Sequence, residues 1–208
     1  MMRTKRIAFS FVVGLSSLIG GCAGGSAAEE TPGEAVEALG VDACPAGIPA
    51  ALNPGPNQTL KSKFTGVGVQ IYMCNATKAG GYAWTFVAPS ANLLNDDGKL
   101  VGTHFIGPTW QGNDESSVAG ARVAGATVDP SALPWLLLST PSHGVQEGRF
   151  SDVTTIQRLS TIGGNAPPSG CDATTLGTIL QVPYSADYFF YKTKTDGKVQ
   201  QCAAAAAP

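Results

Sequence analysis

Eighteen residues, Val101–Val118 (VGTHFIGPTWQGNDESSV), gather a histidine, a Gly-Pro turn, a tryptophan, two acids and two serines. These types can do chemistry together. His104 could take a proton from Ser116 or Ser117 while Asp114 orients its ring, the logic of a Ser-His-Asp hydrolase. A nucleophile elbow of the G-x-S-x-G kind is absent, however. The competing role for His104 is structural, a strand-end residue bonded to a backbone carbonyl. Trp110, with Trp84 and Trp135, could stack a carbohydrate or another flat small molecule. Trp110 follows the Gly-Pro turn and is expected near the surface, whereas Trp135 beside Leu136–Leu138 is expected in the core. Arg158 lies between Gln157 and Leu159, so its carboxylate should come from another strand, and Asp187 is the candidate. The ligand-binding candidates are therefore His104, Trp110, Arg158 and Asp187, and the catalytic ones His104, Asp114 and Ser116. The second histidine, His143, sits in a Pro-Ser-His-Gly loop, and no H-x-H or HExxH spacing exists, so neither a metal nor a cofactor is expected.

The elements that would hold these residues read as strands. The chain has 208 residues, with 26 Gly, 14 Pro and only 13% charged residues. It is rich in Thr and Val, and no apolar stretch beyond the first residues holds a helical period over three turns. Val67, Val69, Ile71 and Met73 alternate with Gly68, Gln70, Tyr72 and Cys74, the pattern of a half-buried strand. Tyr82–Val87 alternates aromatics, Asn95-Asp96-Asp97-Gly98 predicts a hairpin turn, and Lys99–Ile106 leads out of it. Arg122–Val128 alternates again. Trp135–Leu138 is apolar without alternation, as in a strand buried on both faces. Thr154–Ile162, Thr178–Val182 and Tyr184–Tyr191 complete the set; aromatics on both faces of the last mark it as a core strand. The expectation is an all-β fold, an antiparallel sandwich or barrel of about seven to nine strands, in a single domain over residues 44–208 with an Ala-rich tail.

The N-terminus carries other information. Arg3, Lys5 and Arg6 precede an apolar run, Ile7–Ile19, that is shorter than the about 20 residues a spanning helix needs and has the flanks of a signal peptide. The run ends Leu18-Ile19-Gly20-Gly21-Cys22, which resembles a bacterial lipobox. That resemblance implies cleavage after residue 21 and lipid on Cys22, which would tie the protein to a membrane of the cell envelope; the alternative is plain secretion. Residues 22–43 would be a tether, reaching roughly 25 Å as a coil. A short helix is possible from Thr31 to Gly40, with Thr31 and Glu34 at capping-box spacing. The chain has 13 Lys+Arg and 15 Asp+Glu, and loss of the three basic residues of the signal leaves 10 against 15. An acidic balance argues against nucleic acid and against adsorption to anionic lipid by charge. Five cysteines are odd for an exported protein; with Cys22 lipidated, four remain, which allow three disulfide pairings.

Several motifs together resemble a known family. They are Gly68-Val69-Gln70-Ile71-Tyr72-Met73-Cys74, the Trp84 strand, Gly102-Thr103-His104-Phe105 with Gly107-Pro108-Thr109-Trp110, Pro134–Leu138, Ile156-Gln157-Arg158 with Thr161–Gly164, and Pro183–Tyr188 with Phe190-Tyr191. In this order they resemble the exported bacterial and fungal family called domain of unknown function 3455, over about Val67–Tyr191. The resemblance implies no activity. Some relatives carry a dehydrogenase-style label, but this chain lacks a G-x-G-x-x-G between strand and helix and lacks βαβ alternation. The family's cysteine pattern implies a Cys74–Cys171 bridge, leaving Cys44–Cys202 to clasp the domain ends. One departure stands out: the family usually reads Asp-Gly-Ser after the tryptophan, and this chain reads Asp114-Glu115-Ser116, so a turn needing positive φ would be strained. The leading expectation is a lipid-anchored binding or structural module of the envelope. The alternative is an exported hydrolase using His104 with Asp114 or a nearby serine.

Overall fold

A computed structural model describes residues 47–145 and 147–194. The signal, Cys22, the tether with its Thr31–Gly40 helix and the Cys44–Cys202 pairing lie outside the described residues. After a single 3₁₀ turn, Ala50–Leu52, the chain forms strands β1 (Gln58–Ala76), β2 (Tyr82–Leu94), β3 (Leu100–Phe105), β4 (Thr109–Gly112), β5 (Ser117–Ala126), β6 (Trp135–His143), β7 (Thr155–Gly163) and β8 (Ile179–Thr193). All neighbours are antiparallel, and β1 pairs with both β2 and β8, closing an eight-stranded up-and-down barrel. Of the two architectures expected, the barrel is the one formed.

The two ends differ. At one end, Phe150 and Val153 of the β6–β7 connection are fully buried and plug the interior against Phe64 and Phe190. At the other, the β1–β2 hairpin rises past its neighbours and is stapled to the β7–β8 connection by a Cys74–Cys171 disulfide with Cα atoms 5.3 Å apart. Trp84 Nε1 donates to the Ser169 carbonyl at 3.0 Å beside it. The pairing implied by the family pattern is thus present.

Period-2 alternation sorts side chains between two cores. Leu136 and Leu138 face the barrel interior, while Trp135 and Leu137 face an outer cluster capped by Ile48 and Leu52. The absence of alternation in that run reflects burial on both faces. β1 behaves differently: Gln70, Tyr72 and Cys74 turn inward and are buried, and Val67 faces out, 47% exposed. The expected segments around 179–182 and Tyr184–Tyr191 belong to one strand, because Pro183 falls where β7 stops pairing and β8 continues as an edge, where a missing N–H is tolerated. The short β4 is a strand that the Gly-Pro turn and polar neighbours conceal in the sequence.

Inside a small barrel, large side chains must be matched by gaps. Gly66 lies under the Tyr188 ring and Gly120 under the Trp110 ring; a Cβ would meet those rings at 2.5 and 2.9 Å. Gly120→Val should therefore overpack the interior and lower stability by about 1–3 kcal/mol. Urea unfolding of the variant checks this, and an unchanged midpoint would show that Trp110 is free to move aside.

Candidate functional site

A cavity of about 630 Å³ occupies the barrel interior on the side away from the Phe150 plug. That lies within the roughly 300–1,000 Å³ usual for small-molecule sites. Its mouth is framed by Phe86 and Val87 of β2, by Gly107 and Pro108 of the β3–β4 turn, and by Leu133 and Pro134 before β6. Leu136 and Leu138 line one wall, and Gln70, Tyr72, His104 and Arg158 supply polar atoms. Two arginines, Arg122 and Arg158, line it, and no acid does.

Arg158 is the unusual group. Its Nε and Nη2 donate to the Pro134 carbonyl at 3.3 and 2.9 Å, and the Tyr188, Tyr184 and Tyr72 phenols surround it. Burial lowers its pKa, opposed by those phenols, but a guanidinium stays charged at neutral pH. Among the described residues its guanidinium makes no ion pair. The expected partner, Asp187, points the other way. Arg158 is paired in register with Tyr188, so the neighbouring Asp187 lies on the outer face. There its carboxylate accepts from Thr65 Oγ1 at 2.9 Å and sits 3.7 Å from Lys63 Nζ.

His104 and Trp110 are paired across β3 and β4 and stacked at 4.3 Å with their planes 11° apart. Tyr188 packs against both rings, at 5.2 and 5.4 Å. These rings, with Phe190 beyond Trp110, separate the cavity from the plug. Trp110 is 1% exposed, so it is core rather than a surface platform: the Gly-Pro turn that precedes it bends β4 back into the barrel. Trp84 and Trp135 do not line the cavity either. His104 Nδ1 must be the donor to the Thr109 carbonyl at 2.9 Å, because a carbonyl only accepts, which leaves the Nε2 lone pair without a proton. Burial is the main cause that holds this imidazole down to about 3, and Arg158 also lowers it against the opposing Thr109 bond.

The hydrolase constellation is not assembled. Asp114 and Ser116 stand in the β4–β5 turn on the plugged side. Ser116 Oγ donates to Asp114 Oδ1 at 2.6 Å and accepts from the Phe150 amide at 3.0 Å, while Asp114 Oδ2 accepts from the Arg149 amide at 2.7 Å. Those bonds pin the plug, and they are the chief stabilisers of the Asp114 carboxylate against its desolvation, holding its pKa below the usual value. Glu115, between them, takes φ 67°, the left-handed conformation that the family's glycine would adopt without strain. His143 Nε2 bonds the Val153 carbonyl near the same plug. Sequence reasoning passed over Gln70, Tyr72, Arg122, Tyr184 and Tyr188 as site residues. The legible signal for the last two was their spacing of four in a strand, which sets them on the Arg158 side of the ladder.

A neutral buried histidine has a pH signature. Its folded pKa lies below the unfolded value of about 6.5, so the unfolded chain takes up the proton first as pH falls. The stability it carries is present above about pH 6.5 and is lost toward pH 3, by up to roughly 2.5 kcal/mol at pH 4.5. His104→Asn keeps an N–H for Thr109 and should flatten stability between about pH 6.5 and 4.5, a window above the titration of the lowered Asp114. A variant with the same slope as the parent would exclude His104 as the buried base.

No curated protein and no solved structure matches the chain. A family model described as "Protein of unknown function (DUF3455)" matches residues 54–192, the whole barrel from just before β1 to near the end of β8. The chain belongs to that family.

Proposed function

We propose that this chain is an exported, lipid-anchored module of the cell envelope that binds a small molecule inside its barrel. The observation that carries the binding role is the cavity itself: about 630 Å³, with an apolar mouth and a polar inner wall that holds a half-buried Arg158 without a carboxylate. A purely structural barrel would fill that space with side chains, as the plugged half does with Phe64, Phe150 and Phe190. The lining of Leu, Pro and Val, with the tryptophans elsewhere, suits an apolar body better than a carbohydrate. The anchor rests on Leu18–Cys22.

A neutral apolar fluorophore, N-phenyl-1-naphthylamine, should bind the full chain saturably with one site. Val87→Trp at the mouth and Leu136→Trp on the wall should each weaken it on the order of tenfold while circular dichroism stays unchanged. Saturable binding that survives both blocking variants would place the probe elsewhere and overturn the assignment. In the native host, Cys22→Ser should abolish palmitate labelling and release the protein from the membrane fraction. Continued labelling would exclude the anchor.

A further inference from the structure

Resting on that reading of the cavity, we infer that the ligand is an amphipathic monocarboxylate, its acid head on the Arg158 guanidinium and its apolar body against Leu136, Leu138, Pro89 and Pro108. Three observations converge on this head group. A guanidinium offers five N–H donors in a planar fork; the Pro134 carbonyl takes Nε and Nη2, and the Tyr188 hydroxyl lies beside them, so donors remain for a planar acceptor. Gln70 lines the same wall, is 2% exposed, and its amide nitrogen, set beside the Tyr184 phenol, completes no hydrogen bond there. A buried donor without an acceptor is costly unless something supplies one. The chain as a whole is acidic, at a net charge of −2, yet the cavity lining holds two arginines and no acid.

The charge count selects a monoanion. Arg122 stands exposed at the mouth, in the space that Gly125 leaves for its guanidinium. Deeper in, Arg158 is the one cation, since His104 is neutral and the phenols of Tyr72, Tyr184 and Tyr188 are all pushed upward by burial and remain protonated. One half-buried positive charge is balanced by one carboxylate. A phosphate dianion would carry a surplus negative charge into low dielectric. The apolar residues then set the rest of the molecule. Pro89, Pro108, Leu133, Leu136 and Leu138 offer almost no hydrogen-bonding side-chain atoms, so a polyhydroxy acid would be stripped of water without compensation.

Octanoate, octanol and octyl phosphate share an eight-carbon skeleton, carry different head groups, and separate the possibilities by isothermal titration calorimetry on the full chain with Cys22→Ser. Octanoate should bind on the order of 10–100-fold more tightly than octanol, the range of a hydrogen bond to a charged group. Arg158→Met should bring the two within about twofold while N-phenyl-1-naphthylamine still binds as in the parent. Should Arg158→Met not fold, Arg158→Lys provides the same comparison, because it keeps the charge, loses the planar fork, and should retain only part of the preference. Equal affinity for octanoate and octanol, with the neutral probe still bound, would overturn the carboxylate assignment and leave the cavity reading standing. Tighter binding of octyl phosphate than of octanoate would overturn it in favour of a phosphate. Failure of all three ligands and of the probe would overturn the cavity reading itself.

Discussion

Everything in this barrel depends on the ladder between β1 and β8. It runs from Gln58↔Thr193 to Met73↔Ile179, joins the first strand to the last, and closes the sheet into a barrel. Once the sheet is closed, the period of two gives each strand one face inside and one outside, with no freedom to choose. Arg158, Tyr184, Tyr188, Gln70 and His104 are gathered by that rule from strands far apart in sequence. The same rule expels Asp187 and leaves Arg158 without it. A slip of one residue between β7 and β8 would exchange the two, and the interior would neutralise itself.

The absence of an acid near Arg158 is expensive, and the interior is arranged to reduce that cost without cancelling the charge. A carbonyl oxygen and three phenols solvate the guanidinium with dipoles. Dipoles stabilise a cation but leave its net charge intact, so the cavity keeps a positive potential. Tyr184 and Tyr188 are linked by their hydroxyls at 3.3 Å, and burial favours their neutral forms. His104 is kept neutral by the same burial, and its proton is committed to Thr109. Each ionisable neighbour of Arg158 is thereby held in the state that leaves a single unbalanced charge.

How much of this could be read in the sequence depended on whether the local pattern and the closed barrel demanded the same thing. The Asn95–Gly98 hairpin and the doubly buried Trp135–Leu138 run were legible because turn chemistry and continuous apolarity are local signals. The facing of β1 was not, since the apolar residues of Val67–Met73 look out and Gly66, Gly68, Gln70 and Tyr72 look in. Alternation gives the period of a strand but not which face is inside, and a barrel with a polar cavity inverts the usual sense. Trp110 was misplaced for a related reason: the Gly-Pro turn announces a bend, but only the β3–β4 ladder directs the ring inward. The Asp187 pairing with Arg158 failed on parity alone. Glu115 is the reverse case, in which one residue departing from a glycine position marks a left-handed turn in the sequence itself.

Stability and binding are divided between different parts of the molecule, and this allows the interior to stay hollow. The plugged half supplies close packing through Phe64, Phe150, Val153 and Phe190. A second core lies outside the barrel wall, where Leu52 covers Leu159, Phe189 and Tyr191. Beneath it both polar side-chain atoms of Gln157 are bonded, Nε2 donating to the Leu52 carbonyl at 2.6 Å and Oε1 accepting from the Tyr191 hydroxyl at 2.6 Å. That buried polar clasp fixes the segment before β1 across the outside of β7 and β8, the two strands whose inner faces carry Arg158, Tyr184 and Tyr188. The wall bearing the charged site is therefore braced from behind. A rigid wall with an open interior is what a preorganised binding site requires.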